Sequence, residues 1–242
     1  MKPRALAAQA RVELLLTIRR SESLLVTLLI PLGILVFFSK VDAVTDLKEP
    51  IDFLVPGILA LAVMSTAMVS LGIATGYERR YGVLKRLGST PLSRAGLLTA
   101  KTANVLVIEL AQAIVIVVTG LALGWSTSAR ILPAVVLLLV GTVAFAGIGL
   151  LMAGTLRAEA NLALANALFL VLLFLGGMAY PLSKLPGALR AIAEALPAAA
   201  LAESVRDVLT PSHAFPVGHV LVLVAWAIGA PLVAARTFTW EE

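Results

Sequence analysis

The sequence predicts an all-α polytopic membrane protein. It reads as a single transmembrane domain over residues 1–242, with six transmembrane helices and an N-terminal amphipathic interfacial helix. A short cytoplasmic surface helix and an extracytoplasmic helical hairpin between spans 5 and 6 complete the layout. Three observations predict it. The chain is 60% hydrophobic, only 14% charged and has a mean hydropathy of +1.00, whereas soluble domains carry roughly 25% charged residues. Six apolar runs approach the roughly 20 residues that cross a bilayer as helix. The basic residues gather on one side of the layout those runs define.

The elements follow in order. In residues 3–20, Leu6, Ala10, Leu14 and Ile18 recur at helical spacing while Arg4, Arg11, Glu13, Arg19 and Arg20 take other positions. That pattern suits a helix lying in the membrane interface. Its scattered charge does not read as a cleavable leader. Span 1 is Ser23–Ser39, short and carrying Pro31, a source of kink or tilt. Span 2 is Phe53–Gly76, span 3 Thr102–Gly124, span 4 Ile131–Leu156, span 5 Ala160–Tyr180 and span 6 Val217–Ala235. Residues 77–98 form a loop too long for a simple helix connector. Residues 181–211 are too polar and too Pro-broken to span. "GALRAIAEAL" and "AALAESVRDVL" within them read as two short helices, re-entrant or lying at the surface.

Orientation follows from lysine and arginine. Six spans place both termini on one side. Lys2, Arg4, Arg11, Arg19, Arg20, Arg79, Arg80, Lys85, Arg86, Arg94, Lys101, Arg157 and Arg236 share that side. Only Lys40, Lys48, Arg130, Lys184, Arg190 and Arg206 fall opposite. The termini and the 77–98 loop are therefore expected in the cytoplasm. An alanine-rich, lysine-poor composition fits a high-GC bacterium, so the expected location is the bacterial cytoplasmic membrane. The net charge of +5 reflects these loops rather than nucleic-acid binding.

Several chemistries find no residues to carry them. The chain has no cysteine, which excludes disulfides and thiolate metal sites. His213 and His219 have no partner at metal spacing and read as interfacial residues. No phosphate-binding G-x-x-x-x-G-K-[ST] occurs, since "GVLKRLGST" lacks a lysine after its second glycine. No H-E-x-x-H or G-x-S-x-G occurs either. Trp125 and Trp240 suit the aromatic belts at the membrane interfaces.

The 77–98 loop holds the densest basic cluster. Within "YERRYGVLKRLGS", Val83, Leu84 and Leu87 form a small apolar face, and the helical pattern stops at Gly88 before the turn "STPLSR". A charged rim around an apolar centre suits a helix that docks a soluble partner. A topology determinant is the simpler alternative. The stretch "ERRYGVLKRLGSTPLSRAGLLTAK" resembles the cytoplasmic signature of ABC-2-type transporter permeases. In that family an acidic residue precedes a Gly-Leu core, a Pro-containing turn and a lysine opening the third span. "NALFLVLLFLGGMAYPLSKLPGALRAIAEALPAAALAESVR" resembles the family's fifth span and the hairpin that follows it. The drug-exporter permeases of the daunorubicin-resistance type are the most similar subgroup.

The resemblance implies a non-enzymatic half-transporter. Two permeases, identical or paralogous, would form the pore, and each would bind an ABC ATPase subunit through the loop after span 2. ATP and Mg would be bound by those partners and no cofactor by this chain. The coupling-helix role falls on Glu78, Arg79, Arg80, Gly82, Leu84, Lys85 and Leu87, with Pro91 in the turn. Reversing charge at Glu78 and Lys85 is expected to uncouple transport or lose the partner. The resemblance also implies that spans 2 and 5 line a cavity between the permeases, making Met64, Met68, Asn166, Phe169 and Phe174 cavity candidates. Adaptable methionine and aromatic side chains suit varied apolar ligands, but bundle packing or lipid contact would use the same residues. Glu109 is the one acidic residue well inside a span. With Lys101, Asn104, Gln112 and Thr119 it forms a polar stripe on span 3, either touching substrate or packing against another span. The expected activity is export of a hydrophobic or amphiphilic substrate, a drug-like molecule or lipid. Lipid-linked polysaccharide export and secondary transport are the alternatives. The 181–211 hairpin would gate the outer side.

Overall fold

In a lipid-exposed chain the backbone must satisfy its own hydrogen bonds, and a helix does so within each segment. The computed structural model describes residues 21–40, 50–88, 94–126, 130–210 and 215–239, with side chains at all of these except 21–27, 40 and 86–100. Among the described residues every regular element is helical. We number the α-helices α1 (Ser21–Lys40), α2 (Pro50–Val63), α3 (Leu71–Arg80), α4 (Val83–Gly88), α5 (Arg94–Ala122), α6 (Ile131–Thr155), α7 (Ala158–Leu175), α8 (Gly187–Glu194), α9 (Pro197–Leu209) and α10 (Val217–Thr237). A π-helical segment, Met64–Ser70, joins α2 to α3 without a break, and a 3-10 turn, Leu182–Lys184, precedes α8. The expected interfacial helix at residues 3–20, Pro91, His213 and Trp240 lie outside the described residues.

Five helices are long and apolar enough to cross a membrane: Pro50–Arg80, Lys101–Ala122, Ile131–Thr155, Ala158–Leu175 and Val217–Thr237. In α1 the described apolar stretch is shorter, Leu28–Ser39. The continuous rod Pro50–Arg80 is the most enclosed, 83% buried over its apolar window, against 28% or less for Lys101–Ala122, α7 and α10. The rod and α6 therefore make the centre, and α5, α7 and α10 turn apolar faces outward. Helix α6 packs on α10, α3, the π segment and α9, and α2 packs on α1, α5 and α9.

Glycine makes the central crossing possible. A Cβ on Gly149 of α6 would stand 2.6 Å from the Met68 carbonyl oxygen, and one on Gly72 of α3 would stand 3.0 Å from the Gly149 carbonyl oxygen. Backbone cannot move aside as a flexible side chain can, so these helices approach closely only because both positions lack a side chain.

Three boundaries and the place of one tryptophan differ from the sequence reading. Span 2 does not stop at Gly76 but runs to Arg80, so the first four residues of the supposed 77–98 loop are helix. The charges that marked them as loop find partners inside the protein, described below. Helix α5 begins at Arg94, before Thr102. Span 5 ends at Leu175 rather than Tyr180, because Gly176 and Gly177 follow, the latter with φ of +65° in the left-handed region that favours glycine. Trp125 is not a belt residue but is buried in the main hydrophobic core.

The segment after α7 folds back into the bundle. Helix α9 starts with proline at its first turn and buries Ala198–Ala202, Val205, Val208 and Leu209. Its small alanines let it lie close against α2, α6 and α10. Helix α8 is more exposed, with Leu189 and Ile192 turned outward.

Candidate functional site

Two ends of the Pro50–Arg80 rod carry the chain's unusual polar arrangements. At the α4 end, Glu78, Arg79 and Arg80 are consecutive on α3, and residues one apart on a helix point about 100° apart. The three side chains therefore fan out to three different neighbours. The Lys101 ammonium of α5 donates to Glu78 Oε2 at 2.5 Å, with the lysine side chain 2% and the glutamate 17% exposed. The Arg79 guanidinium, buried, donates to the Ala153 carbonyl oxygen of α6 at 2.7 Å. Arg80 pairs with Glu159 of α7 at the surface. One turn thus fastens the rod to α5, α6 and α7.

Beyond the fan the chain turns sharply. The Tyr81 amide donates to the Tyr77 carbonyl and the Gly82 amide to the Arg79 carbonyl. Gly82 takes φ of +67°, open to glycine at no steric cost. The short helix α4 follows at once. Leu84 is fully buried, while Tyr81, Val83 and Lys85 are exposed. The Tyr81 ring stacks on Tyr77 with centroids 6.2 Å apart. So "YERRYGVLKRLGS" is not one surface helix. It is the end of a buried rod, a glycine turn and a six-residue helix in which Leu84 is buried.

At the opposite end Arg206 of α9 is buried among three elements. Its Nη1 donates to Glu203 Oε1 at 2.5 Å and its Nη2 to the Gly177 carbonyl at 2.7 Å. Its Nε reaches the Phe53 carbonyl at 3.4 Å, and its carbon Cζ lies 3.8 Å from the centroid of the Phe53 ring. Burial lowers the Arg206 pKa and the Glu203 carboxylate opposes that shift. One guanidinium therefore ties the hairpin to the turn after α7 and to the start of the rod.

The middle of the rod holds a third polar set. Thr66, in the π segment, donates to Gln112 Oε1 of α5 at 2.9 Å. One turn away Thr142 of α6 donates to Glu109 Oε2 at 2.5 Å, while Glu109 Oε1 is buried with no hydrogen-bond partner among the described residues. On α7, Asn161 is fully buried and donates to the Gly72 carbonyl at 2.8 Å. The polar stripe on α5 is thus turned toward neighbouring helices.

This combination, an apolar helical bundle with a glycine-hinged short helix at one end and a hairpin folded back at the other, coincides with a sequence-profile match. The profile of the ABC-2 type transporter family matches residues 4–210. The chain belongs to that family. As an ABC-2 permease it is a multi-pass membrane subunit of an ABC transporter, a transport component rather than a catalyst. A search of curated protein sequences returns no match.

The permease's remaining candidate residues fall in two groups. Met64 and Met68 are fully buried within the chain, in the π segment against α6. Asn166 and Phe174 on α7 are exposed and Phe169 is half-buried, so this part of α7 faces outward from the single chain. Asn166 Nδ2 donates to the Leu162 carbonyl of its own helix at 2.8 Å. Leu87 lies in α4. Among the described residues no cluster of three or more His, Cys, Asp or Glu side chains could hold a metal. Sequence reasoning did not find Ala153, Glu159, Thr142 or Thr66 as partners. Each is an ordinary residue whose role comes only from the helix it meets.

Proposed function

We propose that this permease exports a hydrophobic or amphiphilic molecule, drug-like or lipid, energised by a separate ABC ATPase that docks on α4. The observation that carries the docking part is the position of α4. It stands at the end of the most buried rod, turned out by Gly82, and shows Tyr81, Val83 and Lys85 while Leu84 holds it down. An aromatic and an apolar side chain beside a cation form the mixed surface that suits a dissociable protein interface. Family membership supplies the reason to expect an ATPase there. The α4 end is then cytoplasmic, which agrees with the basic residues on that side, and α1 supplies the sixth span.

A second permease completes the pore in this reading. The outward face of α7 carrying Asn166, Phe169 and Phe174 lines the route between the two copies. Met64 and Met68 contribute only when neighbouring helices move, since both are enclosed within one chain. Closure of the ATPases on ATP draws the two α4 helices together and shifts the rods, and the α8–α9 hairpin gates the outer side.

The test is purification of the tagged permease from its own host in mild detergent, with all copurifying proteins identified. An ABC ATPase at near-equal amount is the expected result, and a second permease would show whether the pore is mixed. A permease recovered alone, under conditions that keep other membrane complexes whole, would refute the reading. Tyr81→Ala combined with Val83→Glu should reduce the recovered ATPase without changing permease yield.

A further inference from the structure

The residues that sequence similarity assigns to docking do not all face a partner. Glu78 and Arg79 are turned into the bundle, on Lys101 and on the Ala153 carbonyl, and Arg80 is engaged by Glu159. We infer that Glu78 and Arg79 are positioning residues, which pass movement of α4 to α5 and α6 instead of contacting the ATPase, with Arg80 a looser link to α7. The inference rests on the exporter reading above, because it needs a partner that moves α4.

The physical basis is the order of connections along the chain. A two-residue turn, Tyr81–Gly82, separates α4 from the fan. Leu84 is fully buried, so α4 does not swing freely. A push on α4 therefore arrives at α3 within one helical turn. There the three links differ in stiffness. The Glu78–Lys101 pair is almost wholly desolvated, so its attraction is little screened by water or salt. Arg79 offers a rigid, planar donor to a main-chain carbonyl of the central helix α6. Arg80–Glu159 is 42% and 61% exposed and, being solvated, is the weak member. The fan thus grips α5 and α6 firmly and α7 loosely. Movement of α4 carries the rod, α5 and α6 as one unit.

The absence of cysteine allows a clean reporter. A spin label on Leu110→Cys, at an exposed site of α5, reads whether ATP binding to the assembled complex moves that helix. In the otherwise wild-type complex ATP should change the label's spectrum. Glu78→Lys should keep the ATPase bound yet cut that change at least about fivefold, and Glu78→Lys with Lys101→Glu should restore most of it, because a swapped buried pair recovers the coupling that either single change removes. Glu78→Gln, closer in shape, is the second variant should Glu78→Lys not fold, with the same expected loss. Arg80→Ala should leave the change nearly intact.

The outcomes separate the two readings. A wild-type complex without ATPase overturns the exporter reading and this inference with it. A wild-type complex that holds ATPase but whose label ignores ATP overturns only the inference. So does an undiminished change in Glu78→Gln, or loss of the ATPase in Glu78→Lys that the swap fails to restore, since Glu78 would then touch the partner itself.

Discussion

Replacing Arg206 with methionine should destabilise the protein by about 3 kcal/mol, the lower part of the range for breaking a buried ion pair. The lower part applies because Glu203 keeps 19% of its side-chain surface and so regains some water when abandoned. Arg206 itself is only 8% exposed. Methionine fills a similar volume, so the loss is of charge and donors rather than packing. The Gly177 carbonyl and the Glu203 carboxylate each lose a partner, and the Phe53 ring loses the cation over its face. Lysine keeps the charge but has no planar fork to serve both groups at once, so Arg206→Lys should cost less, about 1–2 kcal/mol. Glu203→Gln alone takes from the buried guanidinium its hydrogen-bonded anion and leaves only the weaker attraction of Asp207. The double variant Arg206→Met, Glu203→Gln should therefore cost clearly less than the two single losses added together. The assay is thermal unfolding in detergent, followed by the fraction of monodisperse protein after heating across a temperature series. Arg206→Met within about 0.5 kcal/mol of wild type, the usual scatter for an inconsequential surface change, would refute the account. So would strictly additive losses, which would show that the two side chains do not act as a pair.

Three other predictions concern the middle of the bundle and α4. Thr142→Val should destabilise by about 1–3 kcal/mol, because it leaves Glu109 buried with neither oxygen bonded by a described residue, and Glu109→Leu with Thr142→Val should be milder than Thr142→Val alone; the same thermal series measures both. Gly149→Ala should cost about 1–3 kcal/mol through overpacking, since its Cβ would stand 2.6 Å from a main-chain oxygen of the rod that cannot turn away; a stability equal to wild type would mean that the α3–α6 crossing opens easily. Lys85→Glu should reduce the amount of ATPase recovered with the permease at low salt and flatten its loss with added salt, because the screened attraction at the interface rim is gone; recovery unchanged at every salt concentration would count against α4 as the docking surface.

Much of the helical layout was legible because each long apolar run can satisfy its backbone only as helix. Where reading failed, it failed at residues whose meaning depends on a distant partner. "YERR" looked like loop because four polar or charged residues in a row rarely continue a span. They do so here because Lys101, the Ala153 carbonyl and Glu159 lie where a helix would carry them. The π segment had no signal in "MSTAMVS", since a π turn differs from an α turn in backbone pairing, not in residue type. The end of span 5 was marked by "GG", yet the apolar Met178 and Ala179 after it read as more span. The stripe of Glu109 and Gln112 was visible on a helical wheel. Its direction, toward Thr142 and Thr66 inside the chain, was not. Family resemblance singled out the 77–98 segment but could not tell inward from outward residues within it.

The rod Pro50–Arg80 is gripped by buried charge at both ends and by a glycine crossing between them. At its start Phe53 is held by Arg206, and at its finish Glu78 and Arg79 are held by α5 and α6. A rod clamped at both ends responds to a push at one end by rotating with its clamps or by bending between them. Bending concentrates where the hydrogen-bond pattern departs from the α-helix, and in this rod that is Met64–Ser70, whose carbonyl at Met68 is also the contact point for Gly149. The Thr66–Gln112 hydrogen bond spans this same segment and joins it to α5. If an ATPase pushes α4 as proposed, firm ends with a compliant middle give that push a defined place to act. The polar groups nearest to it, Gln112 and Glu109 on α5, then experience the change first.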